Sequence, residues 1–295
     1  MIRFAKDKDM IRLREIWQAA FNDTREGTEL IFETLNTPGC ILVLTDGEND
    51  PVSMLCIREF ALTSPLASYK AAYLYGVATD KEQRGKGYST QLLEEAHKLL
   101  PRHGCVCSAL VPSQQSLFDF YGARGYETAF YINKAQISLN EIESGEIFPL
   151  LPVTAEKYMQ IRDSRFSDSK MFVCWSEEWI SHVIRESTLY GGGMFTLTVD
   201  GKQLCVTCYR DGGTVYVKEL GVAPAAIDAA IDAALRSIQA HFHPERMVLY
   251  LREDVQTSYT NNLLPFGMVK WYDDMVKNEI SALRGAAPYI AHALD

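Results

Sequence analysis

The sequence lacks the long apolar run that a membrane-spanning helix requires. Its most apolar helical stretch, residues 223–238, is interrupted by Asp228, Asp232 and Arg236, so it offers nothing near the roughly 18 uncharged residues of a span. The first nine residues are rich in charge and contain no apolar core of a secretory signal peptide. We therefore expect a cytoplasmic protein that does not associate with a membrane.

A regular cysteine framework is also missing. The 7 cysteines are odd in number and scattered, which argues against a set of disulfides. The pairs Cys105/Cys107 and Cys205/Cys208 could suggest a metal site, but zinc needs about four ligands and no second pair accompanies either one. Because both pairs lie in strand-like runs, we expect buried free thiols and no metal.

Positive charge is scarce as well. The chain has 29 Lys and Arg against 38 Asp and Glu, a net charge of -9 and a pI near 5.3. This balance argues against a nucleic-acid-binding protein, which needs a basic surface, and favours a cationic small molecule or basic peptide as partner. Apolar residues make up 47% and charged residues 23%, which excludes a mostly disordered chain, and 295 residues suffice for about two domains.

Strand-like and helix-like segments alternate along the chain, as in an α/β or α+β protein. The predicted helices cover residues 9–21, 28–35, a segment ending at 100, 113–121, 154–165, 176–187, 225–242 and 257–264. The predicted strands cover residues 2–5, 41–44, 52–60, 71–79, 105–111, 126–138, 194–199, 204–209, 214–221, 247–251 and 268–276. Thr28 is the expected N-cap of the second helix.

The order of these elements repeats. Residues 74–78 resemble residues 219–223 at an offset of 145, and residues 124–126 resemble residues 266–268 at an offset of 142. A helix and a strand lie between the markers in both copies. We therefore predict an internal duplication.

The most informative segment joins the strand ending at Thr79 to the helix ending at Leu100. Gly85 and Gly87 allow a tight turn and a close approach of a ligand to the backbone. The free N–H groups and the positive dipole end of the helix point back at this loop, as in a phosphate-binding site. The segment lacks the GxxxxGK[ST] pattern of a P-loop. It also lacks the third glycine and the acidic residue of a dinucleotide-binding fold.

Residues 84–89, Arg-Gly-Lys-Gly-Tyr-Ser, resemble the R/Q-x-x-G-x-G/A pyrophosphate loop of the GNAT superfamily of N-acetyltransferases, with Ser89 in place of the family's Gly or Ala. Residues 116–126 resemble the family's later motif, in which a tyrosine, here Tyr121, precedes a Gly-aromatic pair. The resemblance implies a mixed central sheet flanked by helices, and acetyl-CoA as cosubstrate. It implies that acetyl-CoA is bound by Val77, Ala78, Thr79, Arg84, Gly85, Lys86, Gly87, Tyr88, Ser89, Thr90 and Ser116.

The combination of residues 76–79 with the Tyr-Gly-x-x-Gly-Tyr pattern at 121–126 more narrowly resembles the Eis-like branch of that superfamily. In this branch two tandem GNAT domains precede a sterol-carrier-like domain. The resemblance implies a catalytic domain over residues 1–143 and a degenerate GNAT-like domain over residues 144–295. We expect no room for a third domain of ordinary size, which departs from that branch. Because a terminal carboxylate serves in the active site of that branch, it also implies a catalytic role for Asp295.

Transfer of an acyl group from a thioester to an amine requires a polarised carbonyl, a proton for the departing thiolate and a neutral amine. Following the resemblance, the backbone N–H of Val77 polarises the carbonyl and Tyr121 protonates the sulfur. The proton acceptor stays open among Glu59, Tyr75, Asp295 and a water relay.

The second copy has no glycine loop after Gly221. Residues 224–227 read Pro-Ala-Ala-Ile and lack the arginine and both glycines, and the proline removes one N–H donor. We therefore expect this copy to shape the acceptor cleft, or an interface in a homo-oligomer, rather than to bind coenzyme A. Trp175, Trp179 and Trp271 could line that cleft, but we expect them in the core.

These patterns together predict an acetyl-CoA-dependent N-acetyltransferase with one active site, acting on a primary amine of a small cationic molecule or peptide. The alternative is a GNAT-like protein that binds or senses acyl-CoA without transferring the acyl group. Release of free thiol in the presence of an amine distinguishes the two.

Overall fold

The computed structural model describes residues 1–35, 39–222 and 228–292. The strands within these ranges are β1 (Ile2–Phe4), β2 (Ile41–Thr45), β3 (Pro51–Thr63), β4 (Ser68–Thr79), β5 (Cys107–Leu110), β6 (Glu127–Ile137), β7 (Leu151–Pro152), β8 (Phe172–Cys174), β9 (Gly193–Val199), β10 (Lys202–Asp211), β11 (Thr214–Leu220), β12 (Arg246–Arg252) and β13 (Asn261–Trp271). The α-helices are α1 (Met10–Phe21), α2 (Arg25–Thr34), α3 (Tyr88–Arg102), α4 (Gln115–Gly122), α5 (Ala155–Phe166), α6 (Glu177–Leu189), α7 (Asp228–Phe242) and α8 (Asp274–Ala282).

The two halves of the chain share one strand topology. In the first half β1 to β4 are joined antiparallel, and β5 lies parallel to β4 after the crossover helix α3. In the second half β9 to β11 are joined antiparallel, and β12 lies parallel to β11 after the crossover helix α7. The expected fold class, with a mixed sheet flanked by helices in each half, is confirmed.

The halves exchange one strand each. β13, from the end of the chain, pairs antiparallel with both β5 and β6, while β6 also pairs antiparallel with β12. The order β5-β13-β6-β12 therefore joins both halves into one continuous sheet. In addition β8 pairs with the far end of β3.

Hydrophobic packing fixes the crossover helices and the contact between the halves. Helix α3 buries Leu92, Leu93 and Ala96 on one face, at the spacing of an amphipathic helix. Another cluster combines residues of both halves, including Trp17 of α1 and Trp179 of α6. Because apolar burial is the main favourable term in folding, this shared core holds the halves as one body.

The second helix begins earlier than predicted, so the assignment of Thr28 as its N-cap is wrong. Thr24 is the N-cap, and its side chain accepts a hydrogen bond from the Gly27 N–H at 2.9 Å. A Cβ on Gly27 would lie 2.2 Å from the Tyr190 hydroxyl oxygen. The glycine therefore permits close packing inside the helix, whereas the sequence pattern suggested that it preceded the helix.

The predicted helix over residues 257–264 and strand over residues 268–276 are also corrected. β13 begins at Asn261, which lies opposite Ala135 of β6, and ends at Trp271. Helix α8 follows, capped by Asp273. The apolar pattern of residues 257–264 is ambiguous by itself, and the strand is selected by a partner more than 100 residues away in the sequence.

The thiols of the pairs Cys105/Cys107 and Cys205/Cys208 are buried, as expected. Cys56, Cys105, Cys107, Cys205 and Cys208 are buried, Cys40 and Cys174 are half-buried, and all seven are free thiols. Within the three described ranges, no helix has both the length and the apolar character needed to cross a membrane.

Candidate active site

A cavity of about 530 Å³ lies where the two halves meet. The first half lines it with Trp17, Phe21, Asn22, Asp23, Thr24, Leu74, Tyr75, Gly76, Val77, Leu110, Val111, Ser113, Leu117, Tyr121 and Ile132. The second half and the final segment line it with Glu186, Tyr190, Tyr209, Lys218, Tyr250, Leu251, Phe266, Tyr289, Ile290, Ala291 and His292. The second half therefore forms part of the cavity wall.

Strand β4 carries a bulge where it borders the cavity. Tyr75 pairs with Cys56 and Ala78 pairs with Met54, so Gly76 and Val77 have no partner in the register with β3. Gly76 has φ +57°, and a Cβ there would lie 2.4 Å from a ring carbon of Trp17. Glycine is therefore required both by the left-handed backbone and by the close approach of the indole.

β4 and β5 diverge beside this bulge. Their parallel pairing covers only Ala72 opposite Ser108 and Tyr73 opposite Ala109. Beyond Tyr73 the backbone of β4 no longer pairs with β5, and residues 74–77 of the strand line the cavity. The gap between the strands leaves the peptide groups around Val77 available to a ligand.

The predicted phosphate loop lies at the end of the same strand. Gly85 and Gly87 have φ +79° and +74°, and a Cβ on either would meet nothing within 4 Å. Gly87 is the N-cap of α3 and supplies no side chain to cap the first turn. Open space, left-handed glycines and an uncapped helix start together fit a pyrophosphate group, which backbone N–H groups can bind.

The charged side chains of the loop are exposed and bond locally. Arg84 Nε donates to the Thr79 carbonyl at 3.2 Å, and Lys86 Nζ donates to Gln83 Oε1 at 2.7 Å. The neighbouring Thr90 hydroxyl accepts from Arg124 Nη2 at 2.6 Å. This last bond ties the first turn of α3 to the segment that follows α4.

Tyr121, on the last turn of α4, faces the cavity that Val77 also lines. Its ring packs edge-on against Phe120 and Tyr126, with centroids 5.1 and 5.8 Å apart. The Tyr121 hydroxyl forms no hydrogen bond with any residue of the described ranges. Burial raises its pKa to about 12, while the charge of Arg124 opposes that rise. The side chain is therefore a protonated phenol with a free O–H at neutral pH.

Of the predicted acetyl-CoA residues, Val77 lines the cavity, whereas Ala78, Thr79, Ser116 and the loop residues 84–90 do not. Ser116 lies exposed on α4, and Ser113 lines the cavity instead. Ala78 is buried in the core, and the Thr79 hydroxyl hydrogen-bonds Ser53 Oγ at 2.8 Å. Asp295, the predicted catalytic carboxylate, lies outside the described residues, as do residues 224–227 of the second copy.

Two carboxylates line the opposite wall, and the sequence patterns missed both. Asp23 accepts hydrogen bonds from the Tyr190 hydroxyl at 2.6 Å and from Trp17 Nε1 at 3.0 Å. Glu186 accepts from the Tyr209 hydroxyl at 2.6 Å. Within the described part of the chain, neither carboxylate pairs with a lysine or an arginine. The wall also includes Lys218, whose ammonium lies 5.0 Å from the ring centroid of Tyr250.

The final segment, residues 285–292, docks beside β8 and reaches the cavity. Val173 N donates to the Tyr289 carbonyl, and Tyr289 N donates to the Met171 carbonyl, both at 3.0 Å. The indole N–H groups of Trp175 and Trp179 donate to the carbonyls of Ala291 and His292. Trp175 and Trp179 are buried in the core as expected, and their indole hydrogen bonds fix the position of this segment.

The two candidate bases inside the described ranges differ in their surroundings. Tyr75 is 4% exposed, and burial raises its pKa well above the ordinary value, so that its phenol stays protonated. Its hydroxyl, buried at the cavity wall, has no hydrogen-bond partner in the structure as described. Glu59 is exposed, pairs with Lys70 at 2.6 Å and does not line the cavity.

Comparison with known families and structures agrees with this geometry. Residues 1–129 match the family model described as "Acetyltransferase (GNAT) domain". No curated protein matches the chain.

Several solved structures share the fold over nearly the whole chain. Eis1 from Mycobacterium abscessus is 15% identical with a TM-score of 0.66, covering 95% of this chain and 75% of that one. A protein from Enterococcus faecalis V583 described as a "Probable N-Acyltransferase" is 18% identical with a TM-score of 0.72, covering 92% and 72%. A GCN5-related N-acetyltransferase from Anabaena variabilis is 14% identical with a TM-score of 0.71, covering 91% and 72%.

At these identities the solved structures establish the fold, and the family model establishes the type of domain. The cavity, the diverging strands and the glycine loop all involve residues 1–129, the part that the model matches. Residues 1–129 thus match a GNAT acetyltransferase domain, and nearly the whole chain shares the fold of Eis1 from Mycobacterium abscessus and of the probable N-acyltransferase from Enterococcus faecalis.

Proposed function

We propose that the chain transfers the acetyl group of acetyl-CoA to a primary amine of a small cationic molecule or peptide, at a single site in residues 1–143. One observation carries this proposal: the bulged, diverging end of β4 connects the open glycine loop to a cavity that contains a free tyrosine hydroxyl. An acyl-CoA needs an anion-binding loop, a gap between strands and a proton donor in that order along its length.

In this proposal the backbone N–H groups from Gly85 to Thr90 hold the pyrophosphate, and Arg84 and Lys86 add positive charge at the surface. The backbone of residues 77–79, which lies beyond the pairing of β4 with β5, holds the pantetheine arm in the gap between these strands. Ser116 is retained only as an expectation from the motif, because its position on α4 is away from the cavity.

Two groups of the first half act on the thioester. The Val77 N–H, at the bulge of β4 beside the cavity, polarises the carbonyl oxygen and stabilises the charge that develops there. The Tyr121 hydroxyl donates its proton to the departing thiolate. The protonated state of Tyr121 at neutral pH, a consequence of its burial, suits a proton donor and excludes it as the base.

The wall opposite Tyr121 favours an amine that carries positive charge. Asp23 and Glu186 place two carboxylates beside the aromatic rings of Trp17, Tyr190 and Tyr209. Aromatic faces and carboxylates both attract cations. This local pattern supports the cationic acceptor more directly than the net charge of the whole chain.

The experiment is a turnover assay with acetyl-CoA and a panel of a polyamine, an aminoglycoside and a basic peptide, followed by detection of free thiol. We expect thiol release above the amine-free rate with at least one member of the panel. Binding of acetyl-CoA with no thiol release from any amine would contradict the proposal and identify a sensor of acyl-CoA. Absence of acetyl-CoA binding would contradict both the proposed transferase and the acyl-CoA sensor.

A further inference from the structure

A half-buried arginine lies beside the first turn of α3 and has only uncharged partners. Arg124 follows α4. Its Nη2 donates to the Thr90 hydroxyl at 2.6 Å, and its Nη1 donates to the Phe120 carbonyl at 2.5 Å. Within the described ranges no Asp or Glu forms an ion pair with this guanidinium, and its buried Nε has no hydrogen-bond partner there. A positive charge that is partly removed from water without a counter-ion favours the binding of an anion nearby.

The turn around Arg124 fixes the position of this charge. The guanidinium carbon lies 3.5 Å from the ring centroid of Phe120, in a cation–π contact. The Arg124 N–H donates to the Tyr121 carbonyl at 2.9 Å, and the Arg124 carbonyl accepts from Lys270 Nζ of β13 at 2.6 Å. Because the last carbonyls of a helix lack intrahelical partners, the bond to Phe120 also caps α4. Both the backbone and the side chain of Arg124 are therefore held in place.

The bond to Thr90 leaves the proton of that hydroxyl available. The Thr90 oxygen accepts from Arg124, and no residue of the described ranges accepts the hydroxyl's own proton. Thr90 is the third residue of α3, in the turn whose backbone N–H groups have no intrahelical acceptor. A hydroxyl that accepts from a charged donor becomes a stronger donor itself. The first turn of α3 thus offers a polarised O–H in addition to its N–H groups.

The two copies of the predicted repeat differ at this position as well as in the loop. The offset of 142 aligns Arg124 with Phe266. The second copy therefore has neither the glycine loop nor the arginine, whereas the first copy has both. This joint difference links the charge at position 124 to the anion-binding loop.

We propose that Arg124 belongs to the pyrophosphate site: its charge, and the Thr90 hydroxyl that it polarises, bind the pyrophosphate of acetyl-CoA together with the backbone N–H groups of the loop. This inference rests on the proposed function and adds a residue from outside the loop motif. Arg124 is a positioning residue, since it acts on the phosphate groups through Thr90 and through its electric field.

The test measures the Kd for acetyl-CoA by calorimetry. Arg124→Met keeps the length of the side chain but removes its charge and its hydrogen bonds, so we expect Kd to rise at least about tenfold. Binding is measured instead of turnover because the charge of Arg124 also lowers the pKa of Tyr121. Thr90→Val removes the hydroxyl and keeps the shape of the side chain, and Kd should rise at least about threefold.

Arg236→Met is the matched control in the second half. Arg236 of α7 is also half-buried, and its Nε and Nη1 donate to the carbonyls of Glu146 and Glu143 at 3.1 and 2.7 Å. The substitution removes the same charge and the same kind of bonds from the half without a glycine loop. It should leave the Kd for acetyl-CoA unchanged.

Salt separates an electrostatic role of Arg124 from a purely structural one. Between about 0.01 M and about 1 M salt the screening length falls from about 30 Å to about 3 Å. The ratio of the Kd of Arg124→Met to the wild-type Kd should therefore fall toward one. A ratio that is constant over this range would mean that Arg124 only holds α3 against α4, and it would overturn the inference.

Equal Kd values for Arg124→Met and wild type at low salt would also overturn it. If Arg124→Met does not fold, Thr90→Val decides alone, and an unchanged Kd in that variant contradicts the inference. Each of these results leaves the proposed function standing, because that proposal fails only if the wild-type protein itself does not bind acetyl-CoA or releases no thiol.

Discussion

The two halves of the molecule use the same pair of diverging parallel strands for different purposes. β4 and β5 part after Tyr73, and the gap opens onto the cavity beside the bulge at Gly76. β11 and β12 part after Val217, and two residues later the buried side chain of Glu219 bonds to the final segment of the chain. The first half thus offers peptide groups to a ligand, whereas the second uses the equivalent place to dock its own chain.

This difference explains how two halves with one strand topology can form one shared cavity. The first half supplies the loop, the bulge, Tyr121 and Asp23, and the second half supplies Glu186 and the segment that carries His292. Neither half closes the cavity alone, because β6 and β13 are exchanged between them. Variants placed in one half or the other can therefore separate effects on acetyl-CoA binding, on turnover and on folding stability.

The largest effect is expected from Tyr121→Phe. Removing the free hydroxyl takes away the proton donor, so kcat at saturating amine should fall by about 10²- to 10⁴-fold. Tyr126→Phe is the control, because its hydroxyl bonds Ser108 and His97 in the core. That variant should lose about 1 kcal/mol of stability and keep turnover. Full turnover by Tyr121→Phe would refute the assignment.

A smaller effect is expected from a charge placed in the loop of the first half. Gly87→Asp puts a carboxylate where the pyrophosphate should bind, at a φ that Asp tolerates. We expect the Kd for acetyl-CoA to rise at least about tenfold, equivalent to about 1.4 kcal/mol.

Gly201→Asp is the matched control in the second half. Gly201 has φ +73° and, like Gly87, nothing within 4 Å of its added Cβ. The Gly201→Asp variant should leave the Kd for acetyl-CoA unchanged. Equal Kd values for the two variants would mean that the loop does not hold acetyl-CoA.

Gly76→Ala tests whether the bulge depends on close packing as well as on its backbone angle. The new Cβ would collide with Trp17, so unfolding by urea should show a loss of about 1–3 kcal/mol from overpacking. Gly85→Ala has a similar φ but open space, and it should cost only the left-handed strain of about 1 kcal/mol. If both variants lose the same stability, the contact with Trp17 is unimportant.

A pH-dependent effect is expected at His97 of α3, near Lys270 of β13. Burial, aided by the charge of Lys270 on β13, lowers the pKa of His97 from 6.5 to about 4. The folded state thus prefers the neutral His97 ring. The contribution of this ring to the free energy of unfolding is complete above pH 6.5 and is lost as pH falls toward 4. The free energy of unfolding of His97→Gln should decrease less than that of wild type over this window. If the free energy of unfolding changes with pH in the same way in both proteins, the lowered pKa of His97 is refuted.

Local patterns sufficed for elements whose signals are close in sequence. The glycine loop, the crossover helix behind it and Tyr121 at the end of a short helix all follow from spacings of a few residues. The second wall of the cavity could not be found in this way. Asp23 meets Tyr190 across 167 residues, and Glu219 meets His292 across 73. The exchange of β6 and β13 brings such residues together, and no periodicity within one half indicates it.

The most direct test of the whole account is a calorimetric titration of the wild-type chain with acetyl-CoA. The comparison of the halves predicts one binding site per chain, because only the first half carries the glycine loop beside an open gap between strands. A stoichiometry of two would show that the second half also binds the cosubstrate. Absence of binding would contradict the assignment of the loop itself.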